Sequence, residues 1–412
     1  MGWWRPMSVS SADILNLKMN RKGFGQRKEI REQVKGVYHS DIVDDIKASG
    51  FSRTFGRITV HLAKEFGFCY GVDRAVELAY ETRRYNPNKR IFLTTEIIHN
   101  PTVNQDLLNM GIRFLSGPYK NANEPEVTKE DLVIVPAFGT SVQELQRLYE
   151  KGCHLVDTIC GSVIVVWKRV ERYAKEGYTS VIHGKYWHEE TIATSSRVAA
   201  FPRGHYLVVL DENETRYACD YIVHGGDKEE FLKKFKDAIS KNFDPDEHLQ
   251  KIGIANQTTM LSSESLHIAE MFQKALGERY GEVTEKFFSA FDTICSATQE
   301  RQDAMLALEE KKPDLFLIVG GYNSSNTSHL HEIALECAPS YHINAPECIV
   351  SATEIRHKPF GKKEEVLAKS WLPKGEVSIG VTAGASTPDK VMGDVIKRVL
   401  EFQKEKTWGN SL

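Results

Sequence analysis

Along residues 58–412 two hydrophobic rhythms alternate. Short, almost wholly apolar runs rich in Val, Ile and Leu give way to longer stretches in which apolar side chains return every three or four positions. The first rhythm suits strands buried on both faces; the second suits amphipathic helices. Strands are predicted at residues 91–93, 132–136, 179–183, 206–210, 251–255, 315–319 and 377–381, and helices at 73–85, 141–151, 163–176, 262–280, 298–311 and 388–403. Each helix is long enough to carry the chain back across a sheet, so the pattern reads as βα units with mainly parallel sheets. The predicted fold class is α/β in three pseudo-repeated units, residues 58–156, 157–291 and 292–412, the last including the C-terminal segment. A stretch near 211–250, rich in Lys, Asp and Glu, reads as an insertion in the second unit.

Residues 1–57 break the rhythm. They carry eleven Lys/Arg against six Asp/Glu, with the basic stretch Asn20-Arg21-Lys22-Gly23-Phe24-Gly25-Gln26-Arg27-Lys28. This block is expected to be an N-terminal arm outside the core, either a solvated appendage or a docking surface for an acidic partner. Its acidic residues argue against a transit peptide. The whole chain of 412 residues is 41% hydrophobic and 26% charged with a formal net charge of -3, which calls for neither nucleic acid nor an anionic membrane. No apolar run approaches the ~18 residues of a membrane span, and no secretory signal is evident. The expectation is an intracellular protein, and its seven cysteines, an odd number, argue against a disulfide framework.

Three of those cysteines occupy matching positions, each where a strand-like run breaks into a small-residue turn. They read Phe66-Gly67-Phe68-Cys69-Tyr70-Gly71, Val156-Asp157-Thr158-Ile159-Cys160-Gly161 and Phe291-Asp292-Thr293-Ile294-Cys295-Ser296, the last two sharing Asp-Thr-Ile-Cys. Their spacings of 91 and 135 residues match neither the short pairs of structural zinc sites nor the clustered runs of ferredoxins. If they act together, the fold must bring them together. Cys153, Cys219, Cys337 and Cys348 lie in unrelated contexts and are expected to pack in the core.

Ligands of open α/β sheets collect at the carboxyl ends of strands. Here those ends read Ile182-His183-Gly184-Lys185-Tyr186-Trp187-His188-Glu189-Glu190-Thr191, Ala255-Asn256-Gln257-Thr258-Thr259, Gly320-Gly321-Tyr322-Asn323-Ser324-Ser325-Asn326-Thr327-Ser328 and Val381-Thr382-Ala383-Gly384-Ala385-Ser386-Thr387-Pro388. Small and hydroxylated residues opening a helix offer amides and hydroxyls to a phosphate; each alone also suits ordinary helix capping.

Together with Glu96-Ile97-Ile98-His99-Asn100-Pro101, these motifs closely resemble the LytB/IspH family of 4-hydroxy-3-methylbut-2-enyl diphosphate reductases, from about Asn20 to Phe402. The arm and the insertion resemble its plant and cyanobacterial branch. The resemblance implies a [4Fe-4S] cluster at the centre of the three units, held by Cys69, Cys160 and Cys295 with one iron left open. It implies Glu190 as proton donor with Thr258 as the relaying or orienting hydroxyl, and His99, His188, Thr258, Ser324, Ser325, Asn326 and Ser386 around an allylic diphosphate. The implied reaction is reductive dehydroxylation to isopentenyl and dimethylallyl diphosphates, the last step of the methylerythritol phosphate route to isoprenoids. The implied donor is a ferredoxin or flavodoxin, in the cytoplasm or in a plastid stroma, with a homodimer left open.

Two positions depart from the family. Phe138 stands where many bacterial members have a further diphosphate-binding histidine, and Gly161 stands where proline usually follows the second cysteine. The rival readings are a zinc hydrolase using the cysteines with His188 and Glu190, and a non-catalytic iron-sulfur sensor.

Overall fold

The computed structural model describes residues 11–281 and 286–402. The first ten residues of the arm, the predicted helix end at 403 and the remainder of the C-terminal segment lie outside them. The fold is α/β, and three sheets carry it. The first has strand order Ile112–Phe114, Ile91–Leu93, Leu132–Val135, His154–Asp157, all parallel. The second runs Phe288–Ala290, Ile252–Asn256, Thr179–His183, Tyr206–Val209, again all parallel. The third runs Ser52–Phe55, Ile58–Leu62, Val377–Ala383, Leu315–Val319, Ser340–Ile343, parallel apart from its first edge strand. A separate antiparallel hairpin joins Glu354–His357 to Val366–Lys369.

The central strands are buried at every position, as the continuous apolar runs require of parallel strands covered on both faces. Strands at 91–93, 179–183 and 315–319 fall where the pattern puts them, and the helix at 262–280 does too. No helix among the described residues is long and apolar enough to cross a membrane.

Two expectations are corrected. The N-terminal block is no appendage. Ile14 packs beside Val135 and Trp167, Ile30, Val34 and Tyr38 enter the core of the first sheet, and Val43 and Ile46 enter that of the third. The Arg27–Tyr38 helix hides a buried stripe, Ile30, Val34 and Tyr38, under a charged outer face, and net charge masks that periodicity. Second, Ile58–Leu62 does not begin the first unit; it pairs in parallel with Val377–Ala383 in the third sheet. A strand's neighbour is set by the crossover that follows it, which local pattern does not record. The segment near 211–250, expected as an insertion, puts Tyr221, Phe231, Phe235 and Phe243 into the core of the second sheet.

Candidate active site

Each of the three matched cysteines is the N-cap of a helix: Cys69 of Tyr70–Tyr85, Cys160 of Gly161–Glu176 and Cys295 of Ser296–Glu309. A helix start offers unpaired amides and the positive end of the macrodipole, so it favours a thiolate. At Cys295 the sulfur accepts from the Thr298 amide at 3.3 Å and lies 3.1 Å from its hydroxyl. The shared Asp-Thr-Ile-Cys is one turn built twice. Asp157 Oδ1 accepts from the Ile159 amide at 2.8 Å and Asp292 Oδ1 from the Ile294 amide at 2.9 Å. Thr158 Oγ1 donates to the Val135 carbonyl, and Thr293 Oγ1 to the Asn256 carbonyl, each at the end of a neighbouring strand.

The sulfurs converge. A Cβ on Gly71 would stand 2.6 Å from Cys160 Sγ and 3.9 Å from Cys69 Sγ, so only glycine leaves these two thiols room side by side. Cys295 and Cys160 each lie close enough to Cys69 for their charges to interact. Burial pushes the Cys69 thiol up, against the Val72 amide and the Arg301 guanidinium, and pushes Cys295 up to about 11. Three soft, partly buried cysteines outside any disulfide, with Cys160 and Cys295 each near Cys69, form a donor set suited to a metal cluster and poorly suited to remaining as free thiolates. The other cysteines behave differently from one another: Cys219 and Cys348 are buried as expected, but Cys153 is only partly buried and Cys337 is exposed.

Each cysteine amide also donates across the fold to a loop at a strand's carboxyl end: Cys69 to Ala385, Cys160 to Ala137 and Cys295 to Thr258. Those loops line a second group of side chains. Glu190 is 3% exposed, and its carboxylate accepts from the Thr258 amide at 2.7 Å and the Thr258 hydroxyl at 2.9 Å. Burial nevertheless pushes its carboxyl up to about 7, with the Thr258 bonds and His99 opposing. His188 caps the Glu189–Ala199 helix, accepting the Glu190 amide at Nδ1 over 3.1 Å, and burial holds it far below the usual histidine range. It is therefore neutral, with the proton on Nε2.

His99 stands at 5.0 Å from His188, its ring stacked on Phe138 at 4.8 Å and 9°. Its Nδ1 faces Glu96 at 3.1 Å, while its buried Nε2 has no hydrogen-bond partner among the described residues. The rest of the group closes a ring. Gln257 donates to Ser325 Oγ at 3.1 Å, Asn326 Oδ1 accepts the Ala385 amide at 2.9 Å, and Ser386 Oγ donates to the His99 carbonyl at 3.3 Å. Ser324 caps the Ser325–Leu335 helix, and Asn326 Nδ2 is buried without a hydrogen-bond partner among the described residues. Close approach again demands glycine at Gly321, whose Cβ would sit 2.1 Å from the His99 carbonyl.

Every residue expected at the site is thus in one of two adjoining groups. Two helix starts, a neutral N–H donor on His188, Asn326 Nδ2 without a hydrogen-bond partner among the described residues, and His99 Nε2, which faces the Glu189 carboxylate at 3.6 Å, form a setting for an anion. Sequence reasoning missed Gln257 as the connector that also accepts from the Lys185 amide and the Thr191 hydroxyl. It also missed Glu96 as the partner of His99 and Arg301, which reaches the Gly67 carbonyl at 2.8 Å. Gln257 and Glu96 lie inside motifs already singled out; nothing local marks Arg301. Phe138, standing where many family members have a histidine, is the platform under His99. Gly161 opens its helix with free space where a side chain would project.

The family model described as "LytB protein" matches residues 60–400. A 4-hydroxy-3-methylbut-2-enyl diphosphate reductase of Synechococcus sp. is 49% identical over 389 residues, covering 94% of this chain and 96% of that protein. One from Gloeobacter violaceus is 50% identical over 389 residues, covering 93% and 92%. In fold, the solved E-1-hydroxy-2-methyl-but-2-enyl-4-diphosphate reductase from Plasmodium falciparum is similar at a TM-score of 0.60 and 22% identity, covering 82% of this chain and 86% of that one. With a family match that runs through all three cysteine turns and every strand-end loop of the site, this chain belongs to the LytB family.

Proposed function

We propose that this protein is an enzyme that reductively dehydroxylates 4-hydroxy-3-methylbut-2-enyl diphosphate to isopentenyl and dimethylallyl diphosphates, the last step of the non-mevalonate pathway. The observation that carries this is the joining of two chemistries at one place. Three converging thiols are bonded through their own backbone amides to the loops that form an anion setting with a buried acid. Relatives at about half identity across nearly the whole chain support it.

Cys69, Cys160 and Cys295 would hold a [4Fe-4S] cluster; the crowding at Gly71 and the three helix starts fit it. Bound there, it would supply electrons one at a time and, at the iron without a thiolate, an open Lewis-acid position. The protein's own residues do the rest. His99, His188, Ser324, Ser325, Asn326 and Ser386 hold the diphosphate, and the stack on Phe138 keeps His99 in register. Glu190, protonated in a good fraction of molecules near neutral pH, gives its proton to the departing hydroxyl, and Thr258 orients that carboxyl. Breaking the allylic C–O bond consumes two electrons and two protons; one proton leaves in water with the hydroxyl and the other ends on the allylic carbon. The electrons come from a small carrier protein such as a ferredoxin or flavodoxin.

The zinc reading loses support at the histidines. His99, His188 and Glu189 bring ligand atoms within 4.8 Å of one another, but Glu190, which that reading needs, is not among them. Glu190 is turned to Thr258, and His188, with Nδ1 engaged, presents an N–H where a metal needs a lone pair. A sensor has no use for a buried acid beside an anion setting. The test is anaerobic turnover of the diphosphate with reduced methyl viologen. A brown protein that releases both isopentenyl products is expected; a colourless zinc protein without reductive turnover would overturn the reading.

A further inference from the structure

The helix Ser296–Glu309, which Cys295 caps, also carries Arg301, and this side chain is buried, at 3% exposed. Its Nη1 donates to the Ala297 carbonyl at 2.8 Å, and its Nη2 donates across 234 residues of chain to the Gly67 carbonyl at 2.8 Å. Ala297 stands two residues after Cys295, and Gly67 two residues before Cys69. The guanidinium therefore ties the loop of one cysteine to the helix of another. Gly67 is a fixed anchor for it, with φ at +76° and no room for a side chain, since a Cβ would meet Asp389 Oδ1 at 2.6 Å. The next position, Gln302, donates to the Met260 carbonyl at 3.1 Å, so adjacent residues of one helix fasten two distant segments.

That tie leaves two properties of Arg301 unused. Its Nε is buried and has no hydrogen-bond partner among the described residues, although a buried donor without an acceptor is costly. Its charge also makes no ion pair among the described residues. Asp73 lies within range of that charge: burial pushes its carboxyl up to about 6, Glu77 and Asp389 add to this, and Arg31 and Arg301 oppose it. The same guanidinium opposes the effect of burial on the Cys69 thiol. What is missing beside Arg301 is an acceptor of negative character.

We propose that Arg301 is a positioning residue of the redox centre, which holds the Cys69 and Cys295 turns together and gives its buried Nε–H and fixed positive charge to the sulfurs of the cluster, raising the cluster's reduction potential. The inference rests on the cluster assignment of the preceding subsection. Sulfurs of an iron-sulfur cluster accept hydrogen bonds, and those bonds are among the levers that set its potential. Each electron taken up adds one negative charge in a poorly solvated place, where a fixed cation favours the reduced form. Lysine could not stand in fully, because a point charge cannot serve two carbonyls and a sulfur from one rigid plane.

Redox titration of the holoenzyme, followed by the EPR signal of the reduced cluster, compares the parent with Arg301→Lys and Arg301→Gln. At a fixed donor potential the reduced-to-oxidised ratio is expected to fall about tenfold in Arg301→Gln, or about 59 mV for one electron. Arg301→Lys keeps a charge without the planar fork and should fall between parent and Arg301→Gln. Substrate affinity should be unchanged while kcat falls, because Arg301 is no part of the anion setting. A residue that only fastened the two turns would lose iron or thermal stability and leave the potential of iron-loaded molecules alone. An unchanged potential in either iron-loaded variant therefore overturns the inference. If both variants lose the cluster, the parent decides. With arginine carrying heavy nitrogen, pulsed EPR of the reduced cluster is expected to show a weak coupling to that nitrogen, and its absence overturns the inference. A parent without any reduced-cluster signal would strike the cluster assignment and the reductase reading together with this inference. A parent that turns over with reduced methyl viologen but shows no nitrogen coupling strikes the role of Arg301 alone.

Discussion

The cysteine turns and the anion setting touch, yet they are built on opposite principles. Each cysteine is framed in part by its own neighbourhood, a helix N-cap and, at Cys160 and Cys295, a turn closed within a few residues, as in Asp157 to Ile159 or Cys295 to Thr298, with one amide bond reaching across the fold. The anion setting is placed by partners far apart in sequence: Glu190 and Thr258 are 68 residues apart, and Ser386 and the His99 carbonyl are 287 apart. Local frames repeat because the same short turn can be used again on another strand. A setting assembled from three sheets exists once, and every part of it depends on the others. On the proposed roles the division follows the chemistry: the cluster ligands would sit on reusable turns, whereas proton delivery and substrate orientation would sit where small shifts are felt.

Removing a thiol tests the first region most severely. Cys69→Ser, Cys160→Ser or Cys295→Ser is expected to lose most iron and nearly all turnover, since serine is a harder, poorer ligand for iron. Serine at Cys153, Cys219, Cys337 or Cys348 should leave the metal in place. Iron and sulfide counts on the seven variants decide it, and a full complement in any of the first three would end the ligand assignment.

Next in size is the acid of the second region. Glu190→Gln is expected to lower kcat by ~10²- to 10⁴-fold with little change in substrate affinity, because the amide still hydrogen-bonds but carries no transferable proton. Burial raises this carboxyl to about 7, so the proton-bearing form dominates below that pH and is lost above it. Turnover in the parent should therefore fall as pH rises through about 7, and that limb should be missing from the residual activity of Glu190→Gln. A pH profile identical in the two proteins would move the acid elsewhere.

Ser386→Ala should weaken substrate binding by about 10- to 100-fold, the loss of a hydrogen bond to a charged group, measurable by anaerobic titration. Gly71→Ala probes whether the cysteine corner is as tight as the 2.6 Å approach to Cys160 Sγ indicates. Overpacking there should cost ~1–3 kcal/mol and reduce bound iron without altering the anion setting. The smallest effect is expected for Gly161→Pro. The first helical position accepts proline and free space surrounds it, so stability should rise by ~0.4–1 kcal/mol in thermal unfolding with cluster content unchanged. A marked loss of iron would mean that the glycine itself shapes the second turn.

What was legible in the chain follows the same division. The buried strands announced themselves as apolar runs, and the three cysteines announced themselves through a repeated turn, because both are settled within a few residues. Resemblance added the distant members, Glu190, Thr258, His99 and the serines, which no local pattern could have joined. The buried stripe of Arg27–Tyr38 was hidden because lysines and arginines on its outer face dominate the composition. The place of Ile58–Leu62 was hidden because its partner lies more than three hundred residues away.

By itself, then, the sequence determined the elements, the α/β class and the chemical types available: soft thiols at helix starts, hydroxyls and amides at strand ends, and one acid among them. Only the tertiary structure decided that Cys160 and Cys295 come close to Cys69, that the three amides bond to the loops carrying Thr258, Ser386 and Phe138, and that burial pushes the Glu190 carboxyl up to about 7. The reason is physical. Helix capping and strand burial are governed by neighbours along the chain, whereas desolvation and ligand convergence depend on which surfaces the packing of three sheets brings face to face.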